Sequence, residues 1–459
     1  MEFRSSPLQR EVDRVLVKGV TQAYYAYRAT IHIDKYQYEI LKVLSLDIER
    51  DYYNSNHDYI NLYAMIPAGM YVKRIYPNRD KIKIEIRKVP LGERIDSQDQ
   101  TRGIETEMFR AIMDESGNPR VEQNESNTVD ETALNLTNLF TIRFQLLDLT
   151  VEQLRLLQVA GSYRNENQES VIKNILNETA TKLSADSDIR AYGVDMIPMK
   201  DTKKRSHVLI PPINAMDLPS FVQSKMGVYS TGLAQYFQDK FWYIFPKYDY
   251  TRFQSSDMTL TVINVPAKQM PNIERTYYLE GSDLTVLATA DVKFNDRTVI
   301  NKIQSGNGTR LTKASLVMEG FVDVKDNKAV SKRKRANNEY YTKDNYNKEN
   351  YAPISSNNIS DNLFKATSKL AGKDGYYLSF VWQNSIPKYI LPGMMTKILY
   401  LDEGKVREAE GCIVKAHHAI HSEETGITSN RYLCHSGISV FINTNTVDPE
   451  RLYNRSEEH

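Results

Sequence analysis

Lys81-Ile82-Lys83-Ile84-Glu85-Ile86-Arg87 sets three isoleucines between four charges in unbroken alternation. Successive side chains of a strand point to opposite faces, so this run reads as a strand with one buried and one wet face. Ala29-Thr30-Ile31-His32-Ile33 and Leu44-Ser45-Leu46-Asp47-Ile48 repeat the pattern, and Asn54-Ser55-Asn56-His57-Asp58 is a polar break between such runs. Short strands at this spacing predict a small barrel or sandwich over about 20–90. Residues 93–131 are polar and acidic, with a turn signal at Ser116-Gly117-Asn118-Pro119, and read as a long loop or hairpin excursion. Strand character returns at Leu139-Phe140-Thr141-Ile142-Arg143-Phe144-Gln145-Leu146, which closes an N-terminal β domain over 1–148.

Beyond it the period changes. Residues 149–208 read as a helical insertion and linker. Thr150-Val151-Glu152-Gln153 fits a capping box with Thr150 as N-cap, Val151, Leu154 and Leu157 supply an apolar stripe, and Gly161 is a plausible stop. A second helix carries Val171, Ile172, Ile175, Leu176 and Leu183. Pro211-Pro212 marks a boundary into an α+β middle domain over 209–322. There Asp217-Leu218-Pro219-Ser220 starts a helix, Gln238-Asp239-Lys240 is a turn, and Phe241-Trp242-Tyr243-Ile244-Phe245-Pro246 is a buried strand. Further strand runs lie at 258–262, 284–287 and 316–322.

Residues 323–362 are rich in Lys, Asn and Tyr and include Lys332-Arg333-Lys334-Arg335. Their apolar density is too low for a core, so they read as an extended polar segment ordered by a partner or mobile. A C-terminal β domain over 363–459 follows, with strand runs at 376–382, 394–401, 412–420 and 431–442. The fold class expected is mainly β with helical insertions.

Composition narrows the function classes. The 459 residues suit about three domains at roughly 150 each. Lys and Arg number 59 against 58 Asp and Glu, a net charge of +1, which disfavours general coating of nucleic acid. Tyrosine dominates the aromatics, 30 against 14 Phe and 2 Trp, as suits strands and polar contact surfaces. Two cysteines, Cys412 and Cys434, cannot build a disulfide framework or a Cys-based zinc module. No apolar run is long enough for a membrane-spanning helix, and the first nineteen residues read as no secretory signal. Synthesis in the cytoplasm is the expectation.

The residues that could carry chemistry have plain alternatives. His417 and His421 share a strand face, and His435 could lie on a paired strand, so a transition metal is conceivable; polar, exposed or subunit-facing histidines are the simpler reading. His418 stands in the same run. Cys434 and His435 point to opposite faces of a strand, so they form no thiol–imidazole pair, and both cysteines read as buried thiols. Ser305-Gly306-Asn307-Gly308-Thr309 lacks the Lys-Ser/Thr of a phosphate loop and reads as a hairpin turn. No G-x-S-x-G elbow occurs, and Glu423-Glu424 reads as a solvated turn. The 332–335 run reads as a solvated loop first and a protein-contact segment second. Asn135 and Asn177 begin glycosylation-type triplets that mean nothing without secretion. No catalytic, cofactor or metal residues are assigned, no cofactor is expected, and the chain reads as a contact-making protein, not an enzyme.

The order of elements resembles bacteriophage tail baseplate hub proteins. Val208-Leu209-Ile210-Pro211-Pro212 leads into the helix from Leu218 to Met226, followed by Val228-Tyr229, the strand from Phe241 to Phe245, and Pro246-Lys247-Tyr248-Asp249. Gly411-Cys412-Ile413-Val414-Lys415-Ala416-His417-His418, with Thr428-Ser429-Asn430-Arg431-Tyr432, looks like the closing strands of their second barrel. This resemblance implies two small tube-like β-barrel domains, at the two ends of the chain, flanking α+β middle domains. It implies a homotrimer at the tip of a phage tail, in the first instance a contractile one. Two barrels in each of three subunits make a pseudo-sixfold ring that joins the tail tube protein to a trimeric spike protein among other baseplate subunits. The genome passes the lumen without specific nucleic-acid binding. Three other readings compete: a nucleic-acid adaptor that binds in a salt-sensitive way through Lys332–Arg335, and two more. One is a different virion component, a baseplate wedge or tail-completion adaptor. The other is a glycan-binding or glycan-cleaving β-protein, for which only Trp242 and Trp382 could serve as tryptophan platforms.

Overall fold

The computed structural model describes residues 7–19, 24–91, 104–113, 139–183, 188–199, 204–229, 231–249, 258–266, 270, 277–293, 308–313, 325–326, 329–334, 337–343, 375–402, 405–423 and 431–443. The architecture is mainly β with a few helices. In chain order the first part comprises α1 (Pro7–Lys18), β1 (Tyr24–Ile33), β2 (Tyr36–Glu39), β3 (Lys42–Asp51), β4 (Tyr59–Pro67), α2 (Ala68–Met70, continued by a wider turn at Tyr71–Ile75), β5 (Lys83–Leu91), β6 (Glu105–Met113) and β7 (Leu139–Asp148). The middle part comprises α3 (Leu149–Leu156), β8 (Gln158–Glu166), α4 (Gln168–Lys182), β9 (Gly193–Met196), β10 (Arg205–Asn214), α5 (Leu218–Met226), β11 (Leu233–Gln238) and β12 (Phe241–Pro246). Then come β13 (Thr259–Asn264), β14 (Tyr277–Glu280), β15 (Asp283–Lys293), β16 (Gly308–Lys313), β17 (Lys325–Asp326), β18 (Ala329–Lys334) and β19 (Asn337–Lys343). The chain finishes with β20 (Gly375–Gln383), β21 (Met395–Asp402), β22 (Lys405–Ser422) and β23 (Tyr432–Asn443).

The main sheet closes on itself twice. β13, β21, β22, β23, β20 and β15 pair in a ring of six, and β22, β3, β4, β7, β6, β5, β1 and β23 pair in a ring of eight. Both rings contain the β22–β23 pair. One long strand can serve two rings because β22 changes neighbour along its length. Lys405–Cys412 pairs with β21, Lys415–His421 pairs with β3, and the pairing with β23 shifts register between Ile413 and Lys415. Such a bulge bends a strand and raises its local twist, which turns it from one ring into the next. The larger ring closes at a single residue pair, Tyr25 with Tyr432, and the Tyr432 hydroxyl donates to the Val43 carbonyl of β3.

Alternation built these strands as expected. Ile82, Ile84 and Ile86 face the interior of the larger ring with Ile31, Leu62, Phe109 and Phe144. The smaller ring is filled from Leu260, Val262, Val286, Phe380, Trp382 and Val440. Its outer surface is covered by α1, whose Leu8, Val12 and Val15 recur at helical spacing against Ile263, Leu287 and Leu399. Within the polar stretch 93–131, β6 is a full member of the larger ring because Phe109, Ala111 and Met113 alternate inward.

The middle part holds a separate core around Val171, Ile172, Ile175, Leu176, Val222 and Trp242. Here the structure corrects the sequence in detail. The N-cap of α3 is Asp148, whose carboxylate accepts from the amides of Thr150 and Val151; Thr150 lies inside the helix. The helix ends at Leu156, and Gly161 lies within β8, where Tyr163's ring occupies the space of a Cβ. The stretch from 150 to 184 is therefore helix, strand and helix. Pro211-Pro212 lies inside β10 at a register shift between Ile210 and Ile213, where a strand tolerates missing amide donors. α5 begins at Leu218 as its Asp-Leu-Pro-Ser start predicts. In the 323–362 stretch, β17, β18 and β19 join β16 in a sheet of four strands. The run 316–322 lies outside the described residues, as does the tip of the 305–309 turn.

Candidate functional site

The interior of the larger ring changes character at one end. Moving outward along each strand, the inward position next after the apolar core is polar or charged. Ile86 gives way to Lys88 on β5, Phe109 to Glu107 and Glu105 on β6, and Leu146 to Asp148 on β7. Ile60 gives way to Asp58 just before β4, Ile48 to Arg50 on β3, and Ile420 to His418 on β22. The period of two that buried the isoleucines thus places charges on the same face, at the mouth. Most of these groups line a cavity of about 330 Å³, roofed by Gln238-Asp239-Lys240, Pro387-Lys388 and Asp188. A ring mouth is a common place for a binding site.

The roof is the tip of the β11–β12 hairpin. Asp239 and Lys240 both take positive φ, 51° and 67°, as a two-residue turn of this hand requires, although neither is glycine. The tip is held from both sides. Lys240 Nζ donates to Asp148 Oδ2 at 2.6 Å and to Thr150 Oγ1 at 3.0 Å. Buried Gln238 donates to the Ile390 carbonyl at 2.9 Å and accepts from the Tyr52 hydroxyl at 3.4 Å. The Phe237 amide donates to the Asn56 carbonyl at 2.8 Å.

Behind the mouth lies a buried polar network that joins both rings to the middle part. Arg50 donates through Nε and Nη2 to Asp58 Oδ2 at 3.1 and 3.0 Å and through Nη1 to the Pro387 carbonyl at 3.1 Å. Burial opposes the charge of Arg50, but Asp58 more than offsets it, so the guanidinium is held firmly protonated. The Tyr236 hydroxyl donates to the other Asp58 oxygen at 2.9 Å. Arg50 Nη1 also stands 3.4 Å from His418 Nε2. A guanidinium only donates, so Nε2 accepts, and the proton of a neutral ring sits on Nδ1. From there it donates to Ser436 Oγ at 2.6 Å, and Ser436 meets Ser385 Oγ at 2.5 Å. Burial, with Arg50 and His417 adding to it, pushes His418 far below the ordinary histidine range.

Around the cavity itself, several of the charges are paired. Glu105 bridges Lys88 at 2.8 Å and Lys388 at 3.5 Å; enclosure would raise its carboxyl, but the Lys88 hydrogen bond and the two lysine charges hold it below the usual range. His57 Nδ1 donates to the Asp58 carbonyl, and its Nε2 accepts from Arg155 at 2.6 Å; dehydration, against the pull of that carbonyl, lowers its pKa. The Glu107 side chain makes no hydrogen bond and no ion pair among the described residues. Glu107 is exposed at the cavity, and partial desolvation there, with the fields of Asp239 and Asp148, pushes its carboxyl up to about 7. Six carboxylates line the cavity against four cations, an excess of two negative charges. The arrangement is suited to holding a cation.

The residues singled out from the sequence fall elsewhere. His417 and His421 do share the outward face of β22, and His435 lies opposite Ala419 on β23, with its ring 5.1 Å from that of His421. Among the described residues no group of three donors is placed to hold a metal ion. His418, grouped with exposed histidines in the sequence, is fully buried instead, because the inward parity of β22 runs through Ala416 and Ile420. Cys412 is buried and meets the Tyr53 hydroxyl at 3.2 Å, and burial pushes its thiol up to about 12; Cys434 is pushed up to about 11 by burial. The raised values keep both thiols protonated at neutral pH. Lys332, Arg333 and Lys334 lie on β18, and Arg335 lies outside the described residues. The Arg50–Asp58–His418 network was not read from the sequence. Its signal was present as a parity rule: a charge at the inward position of a strand otherwise apolar on that face.

No family model matches the chain, and no curated protein matches it. Solved structures do. One is the 43 kDa tail protein of prophage MuSo2 from Shewanella oneidensis, with 11% identity and a TM-score of 0.43, covering 90% of this chain and 96% of that one. Another is the E. coli c3393 protein, described as a type VI secretion component with structural similarity to the T4 tail proteins gp27 and gp5, with 8% identity, a TM-score of 0.38 and coverage of 93% and 79%. A third is a PdpA–VgrG complex, with 9% identity, a TM-score of 0.35 and coverage of 95% and 67%.

Proposed function

We propose that this chain is a structural component of a phage tail, a central hub that works by assembling with copies of itself. The observation that carries the proposal is the fusion of two closed strand rings through the shared β22–β23 pair. Each ring is a small β-barrel, and their common strands fix the two barrels rigidly side by side. Three such subunits around one axis present six barrels, which is the geometry that seats a sixfold tube on one face and a threefold spike on the other. Within each ring no ring strand is left without neighbours on both sides, so at the rings contacts between subunits form through side chains. Large apolar side chains remain exposed on the middle part, notably Leu156 at 73% and Leu209 at 69%, as suits surfaces covered in an assembly. The chain acts in the virion, at the tail tip, and its role is mechanical and not catalytic.

Copy number in purified tails tests this reading. Quantitative mass spectrometry against the tube protein should find three copies per tail. Six or twelve copies would assign the chain to a wedge or an outer ring, and absence from the particles would end the proposal.

A further inference from the structure

We propose that His418 is the keystone of an acid-sensitive latch on the mouth of the larger ring, and that its protonation releases the turn at 384–390 between β20 and β21. The latch is a property of one chain and does not depend on how copies assemble. His418 and Ser436 are fully buried, and Arg50 and Ser385 nearly so. Both ring nitrogens of His418 lead to that same turn. Nδ1 donates to Ser436 Oγ at 2.6 Å, and Ser436 meets Ser385 Oγ at 2.5 Å. Nε2 accepts from Arg50 Nη1 at 3.4 Å, and the same Nη1 donates to the Pro387 carbonyl at 3.1 Å. The turn is part of the cavity's roof: Pro387 and Lys388 line the cavity, and the Ile390 carbonyl accepts from Gln238 of the hairpin tip at 2.9 Å.

A neutral ring satisfies both contacts, and a protonated ring does not. Protonation leaves the Nδ1 side as it is but puts a hydrogen on Nε2, which then faces a guanidinium nitrogen that only donates. Two buried cations would share one carboxylate, Asp58, which already accepts twice from Arg50 and once from the Tyr236 hydroxyl. The repulsion falls on Nη1, the nitrogen that holds Pro387, while Nε and Nη2 keep Asp58. Arg50 therefore lets go of the turn first. Buried Ile386 and Ile390 keep the turn attached, so the change is a local opening and not unfolding. The titratable and charged groups around the latch are Arg50, Tyr52, His57 and Asp58 on β3 and the segment after it, Tyr236 and Asp239 on the β11–β12 hairpin, Lys388 on the turn and His417 on β22 itself. Lys388 also ties the turn to Glu105 at 3.5 Å, and that pair persists at pH 5 because the lysines hold the Glu105 carboxyl below its usual range. Glu107, at about 7, takes a proton in the same interval as the latch.

The test is hydrogen–deuterium exchange of the full-length chain at pH 7 and pH 5, corrected for the chemical exchange rate, beside His418→Gln, whose side chain donates and accepts in a single charge state. An opened ring, in water, titrates near 6.5, so the opened population rises about tenfold for each pH unit below that value. In the parent, peptides covering 384–390, where the Ser385 amide bonds the Cys434 carbonyl and the Ile390 amide the Pro387 carbonyl, should therefore lose protection roughly tenfold or more at pH 5. The strands β20 and β23 should keep theirs. In His418→Gln the acid loss should be absent. His418→Asn, which keeps a donor on the Nδ1 side, replaces it should that variant fail to fold. Protection of the turn that is the same at both pH values in the parent overturns the latch. An acid loss that persists in the variant also overturns it and assigns the opening to Glu107 or His57, both of which the variant keeps. Neither result touches the hub reading.

Discussion

His418 shows how one residue ties the network to pH. The folded chain keeps its ring neutral, whereas an unfolded chain protonates it near 6.5. As pH falls below that value the unfolded state gains a proton that the folded state refuses, so stability present above 6.5 is lost progressively toward the depressed folded value. The loss approaches about 1.4 kcal/mol per pH unit well below 6.5. His418→Gln should remove that slope: urea-denaturation curves for the variant and the parent should converge between pH 7 and pH 5, and parallel curves would contradict the assignment. Glu107 acts in the opposite sense. Its raised carboxyl adds stability below 4.5 that is lost as pH rises through about 7, so Glu107→Gln should gain stability relative to the parent at pH 8 but not at pH 4. Neither behaviour was legible in the sequence. Both depend on which strands close the ring, and parity along one strand says which face a residue takes but not what that face meets.

At the scale of elements, β22 carries the architecture. Gly411 lies opposite Ile442 on β23, and a Cβ there would stand 2.4 Å from the Phe441 carbonyl oxygen. Backbone cannot yield as a flexible side-chain tip can, so Gly411→Ala should force β22 from β23 at the strands both rings share. A loss of about 3 kcal/mol or more is expected from such overpacking, read as a drop in the urea midpoint. The alternation of Ile82, Ile84 and Ile86 announced a strand correctly, as did the runs now in β1, β3, β7, β12, β13, β20, β21, β22 and β23. The apolar spacing of Leu8, Val12 and Val15 in α1 was also legible, although only the absence of a signal segment was read there. What the sequence hid was length and partnership. An 18-residue strand that changes neighbours halfway looks, in one dimension, like any long alternating run. The Asp148 cap of α3 was missed because Asp148 also closes β7, and a strand's last residue gives no separate sign that it caps the next helix.

For the whole molecule, the account holds that two fused rings make a subunit whose work is done in an assembly. Its exposed apolar residues are then interface residues. Leu156→Lys with Leu209→Lys should leave the unfolding midpoint of the isolated chain unchanged and shift its sedimentation toward smaller species; unchanged sedimentation would place the contacts elsewhere. The most direct measurement is the native mass of the purified full-length chain across a concentration series. The account predicts a species of three times the chain's 52.9 kDa, with six densities around its axis when imaged. A single 52.9 kDa species at every concentration would contradict it.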